Sequence, residues 1–300
     1  RFNHLQALGT HNSYHQASLI PIPQWDYEHL PLDQQLGMQG VRQMELDLYQ
    51  NTEDNGFAVY HLPVADEASS CATLRVCLAT LKQWSDAHPF HHPVLVLLEP
   101  KQLEQAPADV LQSLEDAILA VWPRHRLVLP DHVRGESDSL RDALATRGWP
   151  ALGALRGRLM VVLHSGNELR DVYTEGGTTT AGRIMFPDSY GDLEAPYAAY
   201  HSMNDAIGGQ DAIRRVVAAG HLVRTRADAD NVEASAVDYE RSESALTSGA
   251  HFISTDHPFP GDAETYGFVI PAGTPSRCNP ITAPQDCSPL ELEDPLRLAP

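Results

Sequence analysis

Val41-Arg-Gln-Met-Glu-Leu-Asp-Leu48 is the stretch on which the fold turns. As an extended strand it sends Met44, Leu46 and Leu48 to one face and Glu45 and Asp47 to the other. On a surface strand the two charges would simply face water. A second run, Pro93-Val-Leu-Val-Leu-Leu-Glu99, argues otherwise, because it is apolar until one carboxylate ends it, as expected of a parallel strand covered on both sides. Strands of one sheet share their outer layer, so helices should cover Met44, Leu46 and Leu48 and leave Glu45 and Asp47 pointing inward. Two carboxylates held that close inside a barrel repel unless a cation or a proton holds them.

Outward from this pair, apolar runs at 5–10, 41–48, 57–62, 94–99, 158–164, 183–186, 222–226 and 252–255 read as strands. Helical spacing fills the gaps. Over 108–121, Val110, Leu111, Leu114, Ala117, Ile118 and Val121 share one face, and Leu74, Leu78 and Leu81 share another. Helices over 139–147, 212–219 and 235–248 each meet a glycine at the C-terminal end, Gly148, Gly220 and Gly249. Alternating strands and helices within residues 1–270 predict α/β architecture, a single (β/α)8 TIM barrel. The sixth repeat is irregular over 165–203, and 126–130 reads as a ninth short strand or a loop. A doubly wound sheet is the competitor, but no glycine-rich phosphate loop opens it. From 271 to 300 the pattern gives way to a Pro-rich, polar tail.

The 300 residues are 42% apolar, enough for one large core, and no run nears the ~18 apolar residues of a spanning helix. No basic-then-apolar leader is visible, so the sequence is expected to start at a mature end. The net charge of −19 excludes a basic stripe for nucleic acid and disfavours lasting contact with an anionic bilayer. Four cysteines fall in two close pairs, Cys71 with Cys77 and Cys278 with Cys287, which suggests two local disulfides and a secreted, extracellular protein. Sequence proximity is the reason for preferring this one of three pairings. Zinc would ask for tighter C-x-x-C spacing with His nearby.

In such a barrel the reactive groups belong at the C-terminal ends of strands. Leu8-Gly-Thr-His-Asn-Ser-Tyr-His15 ends the first strand with His11, a proton carrier near neutral pH, and Asn12, a neutral oxygen ligand. His61 ends the third expected strand and Glu99 the fourth. Asn12, Glu45, Asp47 and Glu99 together make an oxygen-only set, suited to calcium rather than zinc.

These residues, in this order and spacing, resemble the X-region core of the calcium-dependent phosphatidylinositol-specific phospholipases C, in their secreted bacterial form. Thr-His-Asn-Ser-Tyr, Gly-Val-Arg-Gln-Met-Glu-Leu-Asp and Val-Tyr-His resemble the family's strand ends. The match is strong over the first 100 residues and loose beyond. It implies cleavage of phosphatidylinositol to diacylglycerol and a cyclic inositol phosphate by attack of an inositol hydroxyl. His11 would then stabilise the phosphorane and help the attack, and His61 would be the general acid. Asn12, Glu45, Asp47 and Glu99 would hold Ca2+, with Glu45 or Glu99 as a base. The implied partner is phosphatidylinositol met transiently at a membrane surface by a monomer.

Weaker candidates follow. Arg224 and Arg226 share the inward parity of their strand and suit a phosphate or inositol hydroxyls. An ion pair with Asp228 or Asp230 is the bland alternative for both. Arg226 stands where the family more often carries an aromatic residue, and His164, where it often carries a Lys, is placed with them as a substrate-binding residue that meets the headgroup. Lys101 is placed to orient a carboxylate or meet the headgroup, and Asp256 to brace a catalytic His. His257, His15 and Tyr14 read as readily as structural groups. The competing enzyme is a glycerophosphodiester phosphodiesterase, which usually shows His-Arg-Gly and His-Asp where this chain has His11-Asn12-Ser13 and His61-Leu62. The non-enzyme alternative is a barrel that binds calcium and headgroup without turnover.

Overall fold

The computed structural model describes residues 1–17, 22–51, 56–102, 105–166, 168–258 and 265–298. Its central element is a barrel of parallel strands, β1 (Leu5–Thr10), β2 (Val41–Asn51), β4 (Val94–Gln102), β5 (Leu159–Leu163), β6 (Phe186–Pro187), β7 (Tyr200–Ser202), β8 (Leu222–Arg226) and β9 (Phe252–Thr255). They lie in the order β6-β5-β4-β2-β1-β9-β8-β7, and a parallel bridge between Asp188 and Tyr200 joins the two ends of the ring. This is the expected (β/α)8 architecture.

Side-chain parity divides the core into two shells. Met44, Leu46, Leu48, Val96, Leu98, Val161 and Leu163 face outward against helices α2 (Leu74–Ala87) and α3 (Pro107–Leu119) and their neighbours. Leu5, Ala7, Leu95, Leu97, Met160, Val162, Phe186, Leu222 and Phe252 point inward and fill the lower lumen. Phe2 and Trp149 cap that apolar floor edge to face, with centroids 5.5 Å apart. The upper lumen holds Glu45, Asp47, Arg224 and Arg226 instead, all buried. Helix ends follow local chemistry: Thr73 caps α2 by accepting from Val76 N, and Ser139 caps α5 (Leu140–Thr146) by accepting from Asp142 N, each contributing about 1 kcal/mol.

The structure corrects four local expectations. The run 57–62 is no barrel strand: β3 (Gly56–Val59) pairs antiparallel with β2, Leu48 opposite Val59. Four residues separate β2 from β3, too few for the crossover that a parallel neighbour needs. Its place in the ring is taken by β7, three residues inside the segment that reads as irregular. The helix expected over 235–248 is two, α8 (Val232–Ala236) and α9 (Glu240–Ser248), parted at Val237 in a left-handed conformation. Residues 126–130 give neither a ninth strand nor a plain loop, but a 3-10 turn, Arg124–Arg126, and a single bridge from Leu127 to Leu159.

Beyond the barrel the chain returns to its underside. β10 (Arg277–Cys278) pairs antiparallel with the start of β1. Asn279 donates to Leu5 O at 3.3 Å and Gly249 O at 2.7 Å. Glu293, fully buried, pairs with Arg42 and accepts from His92 N. Disulfides join Cys71 to Cys77 and Cys278 to Cys287. No helix among the described residues is long and apolar enough to cross a membrane.

Candidate active site

At the C-terminal mouth of the barrel, β1 and β9 lie side by side with Thr10 in register with Thr255. The residues just past them therefore meet, and His11 Nδ1 sits 2.8 Å from Asp256 Oδ1. Arg226, inward on β8, donates from Nη2 to the other oxygen of Asp256 at 2.7 Å, and its Nη1 lies 3.4 Å from His11 Nε2. Nδ1–H facing the carboxylate leaves the Nε2 lone pair toward the guanidinium. Burial pushes Asp256 up, but Arg226 and His11 outweigh it and hold the carboxyl well below the usual range. Asp228, beneath, accepts from Asp256 N at 2.8 Å and from Thr255 Oγ1; burial and the charge of Asp256 push it up to about 7.

Glu45 and Asp47 point inward from β2 as the alternation requires. Glu45 Oε2 takes Arg224 Nη2, whose Nη1 donates to Asn204 Oδ1 at 2.6 Å. Burial raises Glu45, yet Arg224 and the nearby His11, His164 and Arg226 bring it down to about 2. Asp47 differs: burial pushes it well up, Lys101 opposes, and Glu99 and Glu45 add to the rise. Lys101 Nζ lies 3.3 Å from Asp47 Oδ2 and 2.7 Å from Glu99 Oε1. His164 stands over Glu99, Nε2 to Oε2 4.0 Å, and is held from behind by Asp188 at 2.7 Å. Burial lowers His164, but Asp188 outweighs burial and the net shift is upward. Asn12, 2% exposed, adopts a left-handed φ of 44°, which Asn tolerates better than most residues. Ser13 clamps this corner onto β2, donating N–H to Glu45 O and accepting Glu45 N–H on Oγ.

Glu45, Glu99 and His164 each offer a ligand atom within 4.8 Å of the others. Asp47 Oδ1 is buried without a hydrogen-bond partner and Oδ2 meets only the Lys101 ammonium at 3.3 Å, an under-satisfied state that a hard cation would relieve. The donor set therefore suits a divalent cation bound through oxygen. Asp47 stands outside the tightest cluster, whereas His164, read from sequence as a headgroup contact, is inside it.

The ion pairs differ from the sequence reading: Arg224 joins Glu45 and Arg226 joins Asp256, rather than Asp228 or Asp230. Arg224 and Arg226 point into the lumen, where inward acids were already placed, so strand parity could have named these partners.

His61 approaches from the loop after β3. Its Nδ1 lies 2.9 Å from Asp66 Oδ2, and Trp25 abuts the ring edge to face at 4.7 Å. Tyr49 OH donates to His61 O at 2.8 Å. Burial lowers the His61 pKa, with Asp66 opposing. Sequence reasoning missed Asp66, Asp188 and Asn204, and considered Asp228 only as an ion-pair partner for Arg224 or Arg226. The signal for Asp188 and Asp228 was an acid just beyond a strand end; for Asp66, the first of two adjacent acids five residues after a His.

The family profile for phosphoinositide phospholipase C, Ca2+-dependent, matches residues 1–55 and 50–280. The chain belongs to this family. Its members are phosphoric diester hydrolases, and the chain is an enzyme of that class. Among solved structures it is similar to a calcium-dependent phosphoinositol-specific phospholipase C from Pseudomonas sp., with 20% identity, TM-score 0.66, and coverage of 92% of this chain and 94% of that one. A Ca2+-dependent phosphatidylinositol-specific phospholipase C from Streptomyces antibioticus matches at 18% identity and TM-score 0.64, over 85% and 94% of the chains. At such identities the likeness speaks for the phospholipase barrel alone. No curated protein sequence matches the chain. The mouth of this family member thus combines two carboxylate-backed imidazoles, His11 and His61, with inward acids between them.

Proposed function

We propose that this phospholipase cleaves phosphatidylinositol, releasing diacylglycerol and a cyclic inositol phosphate, with calcium at the carboxylates. The observation that carries the reading is the Arg226–Asp256–His11 relay beside the Glu45–Glu99–His164 cluster. One cleft thus holds a proton carrier and oxygen donors. His11 Nε2 would take the proton of the attacking inositol hydroxyl and, with Arg226, face the phosphorane oxygens. His61 Nε2 would deliver a proton to the departing glycerol oxygen. Asn12, Glu45, Asp47 and Glu99 would hold calcium, with His164 beside them. Calcium so bound supplies charge neutralisation and lowers the pKa of the attacking hydroxyl. Arg224, tied to Glu45, would orient that carboxylate; Arg226 and Lys101 would meet the phosphate and the inositol ring.

The loops at the mouth also favour a lipid surface. Val64 is 95% exposed, and Tyr190, Ile207, Val232 and Val237 are exposed as well. Acids such as Asp66, Glu67, Asp205, Asp230, Glu233 and Asp238 lie among them, so a monomer would touch an interface only briefly, through these apolar side chains. We further infer that residues 1–270 are the catalytic unit with 271–300 as its floor, and that the two disulfides fit a secreted enzyme.

Phosphorus NMR of phosphatidylinositol micelles with the protein tests the reading, with calcium and again with excess chelator. A cyclic inositol phosphate signal that requires calcium is expected. Turnover that survives chelation would remove the metal, and absence of turnover in both would remove the substrate.

A further inference from the structure

Asp66 is enclosed by two imidazoles. Oδ2 lies 2.9 Å from His61 Nδ1 and 2.9 Å from His15 Nε2, and Oδ1 lies 3.1 Å from His15 Nε2. The side chains of Asp66 and His15 are each 1% exposed, that of His61 16%. An ionised carboxylate only accepts, so both rings must present N–H to it. That fixes His61 in one orientation: Nδ1–H toward Asp66, Nε2 toward the cleft. The backbone reinforces it, since Leu62 N donates to Asp66 O and Asp66 N to Leu62 O, both at 3.0 Å. Ring and carboxylate therefore sit on the two ends of one short closed loop. A second clamp joins this loop to the His11 corner, where Ser70 N donates to Tyr14 O at 2.8 Å. Asp256 shares its charge with Arg226, whereas Asp66 pairs with no Lys or Arg among the described residues. Its ion-pair partners among the described residues are the two imidazoles.

We propose that Asp66 is a positioning residue for the reaction: it aims His61 Nε2 at the leaving oxygen and stabilises the imidazolium form, while His15 anchors the carboxylate from behind. The proposal rests on the reading of His61 as general acid. In that step the Nε2–H proton passes to the glycerol oxygen as the P–O bond breaks. The bonding pair stays on that oxygen, and the imidazole is left neutral.

The test compares two soluble inositol phosphodiesters, one with an alkyl and one with a nitrophenyl leaving group, on wild type, D66N, H15Q and H61A. A nitrophenolate departs without a proton, so general-acid assistance matters only for the alkyl ester. The ratio of the two rates within one preparation is independent of how much protein is folded. D66N should lose ~10²-fold on the alkyl ester and only a few-fold on the aryl ester, in the direction that H61A takes. H15Q should shift the ratio the same way by less. Equal losses on both esters in D66N and H15Q, with H61A selective, would overturn the role of Asp66. A non-selective H61A would remove the acid reading of His61 and this proposal with it.

Discussion

Glu45 and Arg224 face one another across the upper lumen, with side chains 3% and 1% exposed, joined through Oε2 and Nη2. Neither charge has bulk water to fall back on, so removing one leaves the other stranded. R224M should destabilise the barrel by about 3–5 kcal/mol, read as a loss in urea-melt free energy. E45Q/R224M should recover part of that loss, because both charges go together. A double variant no better than R224M would mean that the pair does not set the stability of the lumen.

His11 and His61 are expected to carry proton transfer and not the metal. H11A and H61A should each lower kcat on phosphatidylinositol by ~10²–10⁴-fold, while calcium binding by calorimetry stays close to wild type. A variant that loses calcium along with activity would move that histidine into the metal site.

Acid should unfold this protein early. Burial holds His91, His201 and His251 down to about 3, and His29, His92 and His221 down to about 4, against an ordinary 6.5. These folded-state values are depressed, so the unfolded chain binds protons first as pH falls. The stability is whole above about 6.5 and is lost progressively toward pH 4–3. Glu293 acts in the same direction: burial raises it, Arg42 and His92 outweigh that, and at about 2 against 4.5 it adds a second loss at lower pH. One pH unit per group is about 1.4 kcal/mol, against a total of ~5–15 kcal/mol. Melting temperatures between pH 8 and pH 4 check this, and a flat profile below pH 6.5 would contradict it.

The exposed apolar residues at the mouth give a fourth expectation. V64D and I207D should weaken binding to phosphatidylinositol-bearing vesicles several-fold and leave rates on a soluble inositol phosphodiester near wild type. Equal effects on both would return these side chains to the ordinary surface.

Much of the barrel was legible because its strands obey parity. β1, β8 and β9 match the sequence reading end to end, and the inward acids of β2 follow from one alternation. β3 misled because Phe57 and Val59 have strand composition; Asn55-Gly56 just before them was the hairpin signal that would have corrected it. β7 was invisible, since three residues cannot display a period. Site residues at strand ends could be named, whereas Asp66, on a loop beyond a hairpin, depends on how that loop folds back. The same holds for Asn204, which reaches Arg224 from the irregular stretch after β7.

The Arg42–Glu293 pair has a consequence for how the chain is made. The guanidinium sits at the base of β2, and its counter-charge follows 251 residues later. A nascent chain that has emitted every barrel strand still holds a buried cation without its anion, and an underside without its cover. Closure of this underside must wait until residue 293 is free to fold back onto Arg42. Folding here is an event of completion, not of elongation.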